Sequence, residues 1–233
     1  MTAKWVPVKE IKLVLDREFI TPFINSIKQY PDISLKLSNA FVLVTLSEQL
    51  IVEFDINQNK AGEKLEAVKE KTIFLGYLGK VYKSALLLIG ATDYLGAIIL
   101  LRSFFELLIE IATTKNGSMR DRISSITFLD TEEKNRLQKL WNELSAWAHP
   151  YGKWIKNICP KLYGCGRHHH EATLSQCLDY SDKILDLLLT ITIDHFKLST
   201  DNYIDKYREI LKNTKMSEIS KLNMFEKRII LNS

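Results

Sequence analysis

Residues 86–101 read LLLIGATDYLGAIILL, an almost unbroken apolar run that has to be taken out of water somewhere. A bilayer span needs about 20 apolar residues, and this run is shorter. It also carries Asp93 and leads straight into Arg102 and Glu106. Charges at such positions are expensive in hydrocarbon, so the run reads as the centre of a protein core, with no membrane partner. The opening MTAKWVPVKEIK is broken by charges and followed by no apolar stretch, which does not fit a signal peptide. Three cysteines, an odd number, do not make a disulfide framework. A soluble protein of the reducing cytoplasm is the expectation.

With five prolines and nine glycines in 233 residues, the chain is rarely interrupted, and its apolar residues recur at three- and four-residue spacings. The fold class expected is therefore all-α, a bundle of five or more helices in one domain over residues 1–233. Helices are predicted over about 9–29, 35–54, 60–90, 94–114, 131–149, 174–196 and 203–215. Tyr30-Pro31-Asp32, Asn57-Gln58-Asn59, Asn116-Gly117 and His149-Pro150 are the breaks. Residues 1–56 form an added N-terminal helix pair and 60–196 the core. Residues 200–233 form a polar, loosely attached tail. Hydrophobic content of 46% and a net charge of +4 exclude a disordered chain and single out no acidic partner.

The polar chemistry gathers on two of these helices. The segment 94–112 is apolar nearly all the way round, yet it holds Arg102 and Glu106 one turn apart. They can pair with each other, but a guanidinium has five donors, so something polar must meet this helix. The helix NRLQKLWNELSAWAHP is the candidate. Beside its apolar stripe of Leu137, Leu140, Trp141, Leu144 and Ala148 runs a second stripe of Gln138, Asn142, Ser145 and His149. Solvated faces are usually rich in Lys and Glu, so this uncharged stripe suits a partly buried hydrogen-bond network. His149 closes the helix, where the macrodipole favours its protonated form.

The string DYLGAIILLRSFFELLIEI, followed some thirty residues later by LWNELSAWAHP, resembles the HEPN superfamily, helical-bundle proteins of prokaryotic toxin–antitoxin and defence systems. The resemblance covers about residues 60–196. It implies a HEPN-like core, a homodimer, an antitoxin protein as partner, and either RNA cleavage without a metal or other cofactor or a degenerate relative that has lost it. His149 matches the family histidine, and Asn142, or by other registers Glu143 or Ser145, stands where the family carries an arginine. The candidate catalytic set is His149, Arg102, Asn142, Glu106 and Ser145, with Arg102 supplied from the neighbouring helix on the reading of the residues and not by the family pattern. His149 is the general base on a ribose 2′-hydroxyl, Arg102 holds the phosphate, and Asn142 orients one of them.

Two further clusters adjoin this helix. Trp147, Tyr151, Lys153, Trp154 and Lys156 interleave aromatic and basic side chains, as a single-stranded RNA platform requires. Packing anchors are the other reading of those aromatics. Cys159, Cys165, His168 and His170 are zinc-type ligands, but they lack a C-x2-C pair, so a surface loop is the preferred reading over a metal site. No phosphate loop, GxSxG or HExxH motif is present. The competing function class is a non-catalytic helical protein whose polar helices form an interaction or dimerisation surface.

Overall fold

The computed structural model describes residues 65–148 and 171–194, together with the isolated positions Thr21, Ile24, Asn25, Lys28, Thr45, Met224, Phe225, Lys227 and Arg228. Five helices account for the described core: α1 (Leu65–Gly90), α2 (Tyr94–Ala112), α3 (Met119–Ser124), α4 (Thr131–Ala148) and α5 (Glu171–Asp194). No strand occurs among the described residues, and the protein is an all-α bundle. None of these helices is long and apolar enough to cross a membrane. The predicted helices over 9–29, 35–54 and 203–215 lie outside the described residues, apart from isolated helical positions in the first two.

The apolar run is spent on a helical hairpin. It supplies the end of α1 and the start of α2, and α2 becomes the central helix, packed against each of the other four. Ile98, Leu101, Phe104, Phe105, Leu108 and Ile109 on α2 are fully buried, pointing to several sides of the helix at once. At roughly 1.5–3 kcal/mol for each large side chain removed from water, this one helix anchors the whole bundle. Tyr82 of α1 packs its ring 5.5 Å from that of Phe104. Its hydroxyl donates to the Ser181 carbonyl of α5 at 2.9 Å, tying three helices together at one level. Burial pushes that hydroxyl far above its ordinary titration range.

The hairpin turn explains why the run does not continue as one helix. Asp93 N–H reaches the carbonyl of Leu88, and Thr92 N–H that of Ile89, the paired bonds of a Schellman ending. The left-handed position in that ending is Thr92, at φ 67°. Asp93 then caps α2, its carboxylate accepting from Gly96 N–H at 3.0 Å. Gly96 is required by that cap, since a Cβ there would lie 2.5 Å from Asp93 Oδ2. A β-branched residue at positive φ is strained. Thr92→Gly is expected to stabilise the protein by about 1 kcal/mol, read as a raised urea mid-point with the slope unchanged.

α2 ends at Ala112, two residues before the predicted limit, because Thr113 turns extended and its hydroxyl bonds Ser125 at 2.7 Å. Gly117, at φ 137°, therefore serves the entry to the short α3, an element not foreseen, instead of closing α2. α3 lies at the end of α2, so α4 returns along α2, and Trp141 stacks on Phe105. α5 runs antiparallel to α4: Trp147 bonds Tyr180 near one end, and Glu133 and Asp194 share Arg228 near the other.

The tail does not behave as a loose polar appendage where it is described. Met224 and Phe225 are 5% and 1% exposed, inside the core cluster. Their two N–H groups donate to Asp186 Oδ2 and Oδ1 at 3.1 and 2.9 Å. Three residues on, Arg228 reaches α4 and α5 together.

Candidate functional site

Arg102 and Glu106 form the expected pair, Nε to Oε1 at 3.1 Å, on one edge of α2. What meets them on α4 is aromatic: the Arg102 guanidinium lies 4.8 Å from the centre of the Trp141 ring. Trp141 is itself stacked on Phe105 at 6.2 Å, so the cation, the indole and the core are joined in series. Arg102 keeps 20% of its side chain accessible and Glu106 37%. The charged pair is thus a half-sheltered edge, not a deeply buried one.

The uncharged stripe of α4 runs beside this edge but is not a connected network among the described residues. Gln138 donates to Asn142 at 3.4 Å, and Asn142 is exposed. Gln138 Oε1 and Ser145 Oγ are buried atoms with no hydrogen-bond partner. An unpartnered buried hydroxyl or amide oxygen costs roughly 1–3 kcal/mol, which makes these two atoms unusual on a stripe only half-sheltered. Ala148, the last described residue before His149, is seven residues past Trp141. That places it about 10 Å further along the helix axis.

His149 lies outside the described residues, as do Tyr151, Lys153, Trp154 and Lys156. Trp147, the remaining member of the expected stacking platform, is a correction. It is 5% exposed and its indole bonds the Tyr180 hydroxyl, because position 147 follows Leu144 on the inward face of α4. It is a packing anchor and offers no face to a base. The candidate metal ligands Cys159, Cys165, His168 and His170 are also outside the described residues. Among the described residues no cluster of metal-ligating side chains occurs. The described cysteine, Cys177, is a buried free thiol pushed up to about 12 by burial, inert as a nucleophile.

A second polar cluster, unforeseen, sits at the N-terminal end of α4. Asp130 and Glu133 form a capping box: Glu133 N–H donates to Asp130 Oδ1 at 2.8 Å, and Asp130 N–H to Glu133 Oε2 at 3.0 Å. The amide bond to Asp130 holds its carboxyl below the usual range, helped by Lys227 at 3.0 Å. Arg228 bonds Glu133 at 2.9 Å, Asp194, and the carbonyls of Phe128 and Met224 at 2.9 and 2.6 Å. Burial raises the Asp194 carboxyl, and Arg228 only partly offsets this. Nearby, burial pushes Asp186 up to about 7 despite its two amide donors.

Between these end contacts α4 and α5 part to leave a cleft of about 340 Å³, walled by Leu137, Leu140 and Glu143 on one side and Asp179, Lys183 and Asp186 on the other. Met224 of the tail also lines it. The signals for this side were present: Asp-x-x-Glu at 130–133, and a single carboxylate, Asp186, inside the apolar string ILDLLLTITI. No family model, curated protein or solved structure matches this chain.

Proposed function

We propose that this protein is a HEPN-like cytoplasmic RNA-cleaving toxin or a non-cleaving relative of one, acting as a homodimer and held in check by a partner antitoxin protein. The observation that carries the reading is Arg102, braced by Glu106 and Trp141 on the flank of α2 that faces the helix leading to His149. A guanidinium held from one side by a carboxylate and from another by an indole is oriented before any ligand arrives, which is what phosphate recognition needs. In this reading Arg102 holds a phosphate of the RNA. His149 then takes the proton of the ribose 2′-hydroxyl. Asn142 and Ser145 precede His149 on the same stripe of the sequence, and Glu106 positions Arg102 without touching RNA. Such chemistry needs no metal.

The test is cleavage of single-stranded RNA by the full-length chain in excess chelator. His149→Ala is expected to slow it about a hundredfold, and Arg102→Ala to weaken RNA binding while sparing the fold. Wild type and His149→Ala cleaving at indistinguishable rates would end the catalytic reading. In cells, toxicity on expression should disappear with the same substitution.

A second reading, a non-catalytic dimerisation module, is favoured by three exposed apolar side chains on the α1–α2 hairpin: Tyr77, Leu87 and Ile99, at 59%, 47% and 45%. It predicts no cleavage by wild type and a dimer in sedimentation that Leu87→Lys with Ile99→Lys dissociates.

A further inference from the structure

We propose that the cleft between α4 and α5 is a binding site for a small amphipathic amine. Its ammonium would sit against Asp186 and its apolar body against Leu137, Leu140 and Met224. The site is separate from the Arg102 flank, and the proposal does not depend on RNA cleavage.

Both helices pack against α2, and the contacts between them include Trp147–Tyr180 and the Arg228 shared by Glu133 and Asp194, with the cleft lying between these two levels. Its volume of about 340 Å³ falls at the small end of the usual range for small-molecule sites, roughly 300–1,000 Å³. Leu137, Leu140 and Met224 give it an apolar lining, all at most 5% exposed.

The charges around the cleft decide what fits. Those at its mouth are already matched: Arg136 with Glu132, Lys139 with Glu143 at 4.0 Å, and Lys183 with Asp179 at 2.7 Å. Asp186 is different. It is 3% exposed, and its oxygens accept two backbone N–H groups from the tail, with no lysine or arginine nitrogen at ion-pair distance among the described residues. A carboxylate has about four acceptor positions, so two remain. A buried carboxylate with no directly paired cation among the described residues, in an apolar lining whose charged rim is matched, is complementary to one positive charge on an apolar stem. An anion would meet Asp186 as a like charge, and a neutral alcohol would leave it uncompensated.

Proton linkage follows from the same geometry. Burial holds Asp186 up near 7, with Arg228 attracting its charge and Glu133 repelling it. Facing it across the cleft are Arg136, Lys139 and Glu143 of α4, with Asp179 and Lys183 on its own helix. An arriving ammonium favours the ionised form, so binding releases a proton near neutrality and tightens as pH rises.

The probe is hexylammonium, with hexanol and hexanoate as matched controls, titrated calorimetrically into the full-length protein. Hexylammonium is expected to bind at least about tenfold more tightly than hexanol, and hexanoate not at all. Affinity should rise about tenfold or more between about pH 5.5 and about pH 8, with heats that depend on the buffer's own ionisation. Leu140→Phe, which fills the cleft, should abolish binding of both amine and alcohol. Asp186→Asn should remove the preference for the amine. Equal affinity for hexylammonium and hexanoate, binding independent of pH, or binding that survives Leu140→Phe would each overturn the proposal. So would the absence of any hexylammonium binding to wild type.

Discussion

Arg228→Met is expected to cost about 3–5 kcal/mol of folding free energy, the amount typical of removing one partner from a buried ion cluster. Methionine keeps the stem of the side chain, so the loss comes from charge and not from a cavity. Glu133 is 5% exposed and Asp194 22%, against 11% for Arg228, so solvent cannot take over the role of the guanidinium. Removing it leaves two carboxylates facing each other and strands the Phe128 carbonyl, which accepts from Arg228 Nη2 at 2.9 Å. Asp194, already raised by burial, rises further once its attracting partner is gone. Neutralising all three positions together, with Glu133→Gln and Asp194→Asn added, should return about 1–3 kcal/mol of the loss. Urea denaturation of the three proteins at one pH measures this. A loss below about 1 kcal/mol for Arg228→Met would instead mark the cluster as an ordinary surface bridge.

The contrast between Arg228 and Arg102 shows what a single sequence makes legible. Arg102 could be found because it stands with Glu106 in an apolar helix, where periodicity alone puts both on one face. Its partner on α4 could also be found as a helix, though the contact turned out to be Trp141, the apolar stripe's edge, and not the Gln138–Asn142–Ser145 stripe beside it. Choosing between residues one position apart requires the helix rotation, which tertiary packing sets. Trp147 went astray for the same reason: its neighbours in sequence are basic and aromatic, while its neighbours in space are Tyr180 and the core.

Arg228 was invisible to this kind of reasoning. Apart from the Met224 carbonyl one turn back, its partners Asp194, Glu133 and Phe128 are separated from it by 34 to 100 positions, and nothing local distinguishes the string MFEKR from a solvated helix. α1, α2, α4 and α5, by contrast, are readable as helices, because each carries its own periodic apolar face and its own breaks. The short α3 has too few residues for a period to show.

The lone carboxylate in the apolar stretch of α5 yields the other large effect, and it runs against the usual acid denaturation. Asp186 is pushed from an ordinary 3.8 up to about 7, so over the interval between these values the folded protein binds a proton that the unfolded chain has released. Its stabilising contribution is therefore fully present below 3.8 and is lost as pH rises through about 7. At about 1.4 kcal/mol per pH unit, the change approaches about 4 kcal/mol. Asp121 and Asp130 shift the opposite way, each held low by hydrogen bonds, so their contributions fall below this window. Asp194, raised like Asp186, adds to the same slope. The measurement is the difference in urea stability between wild type and Asp186→Asn, which cancels every group the two proteins share. Asparagine presents one oxygen where two N–H donors, of Met224 and Phe225, need acceptors, so the variant should be weaker by about 1–2 kcal/mol at about pH 4.5. By about pH 7.5 the carboxylate bears its full desolvation and the order should reverse, the variant being the more stable protein. Parallel stability curves across that interval would mean that Asp186 is hydrated in the folded state.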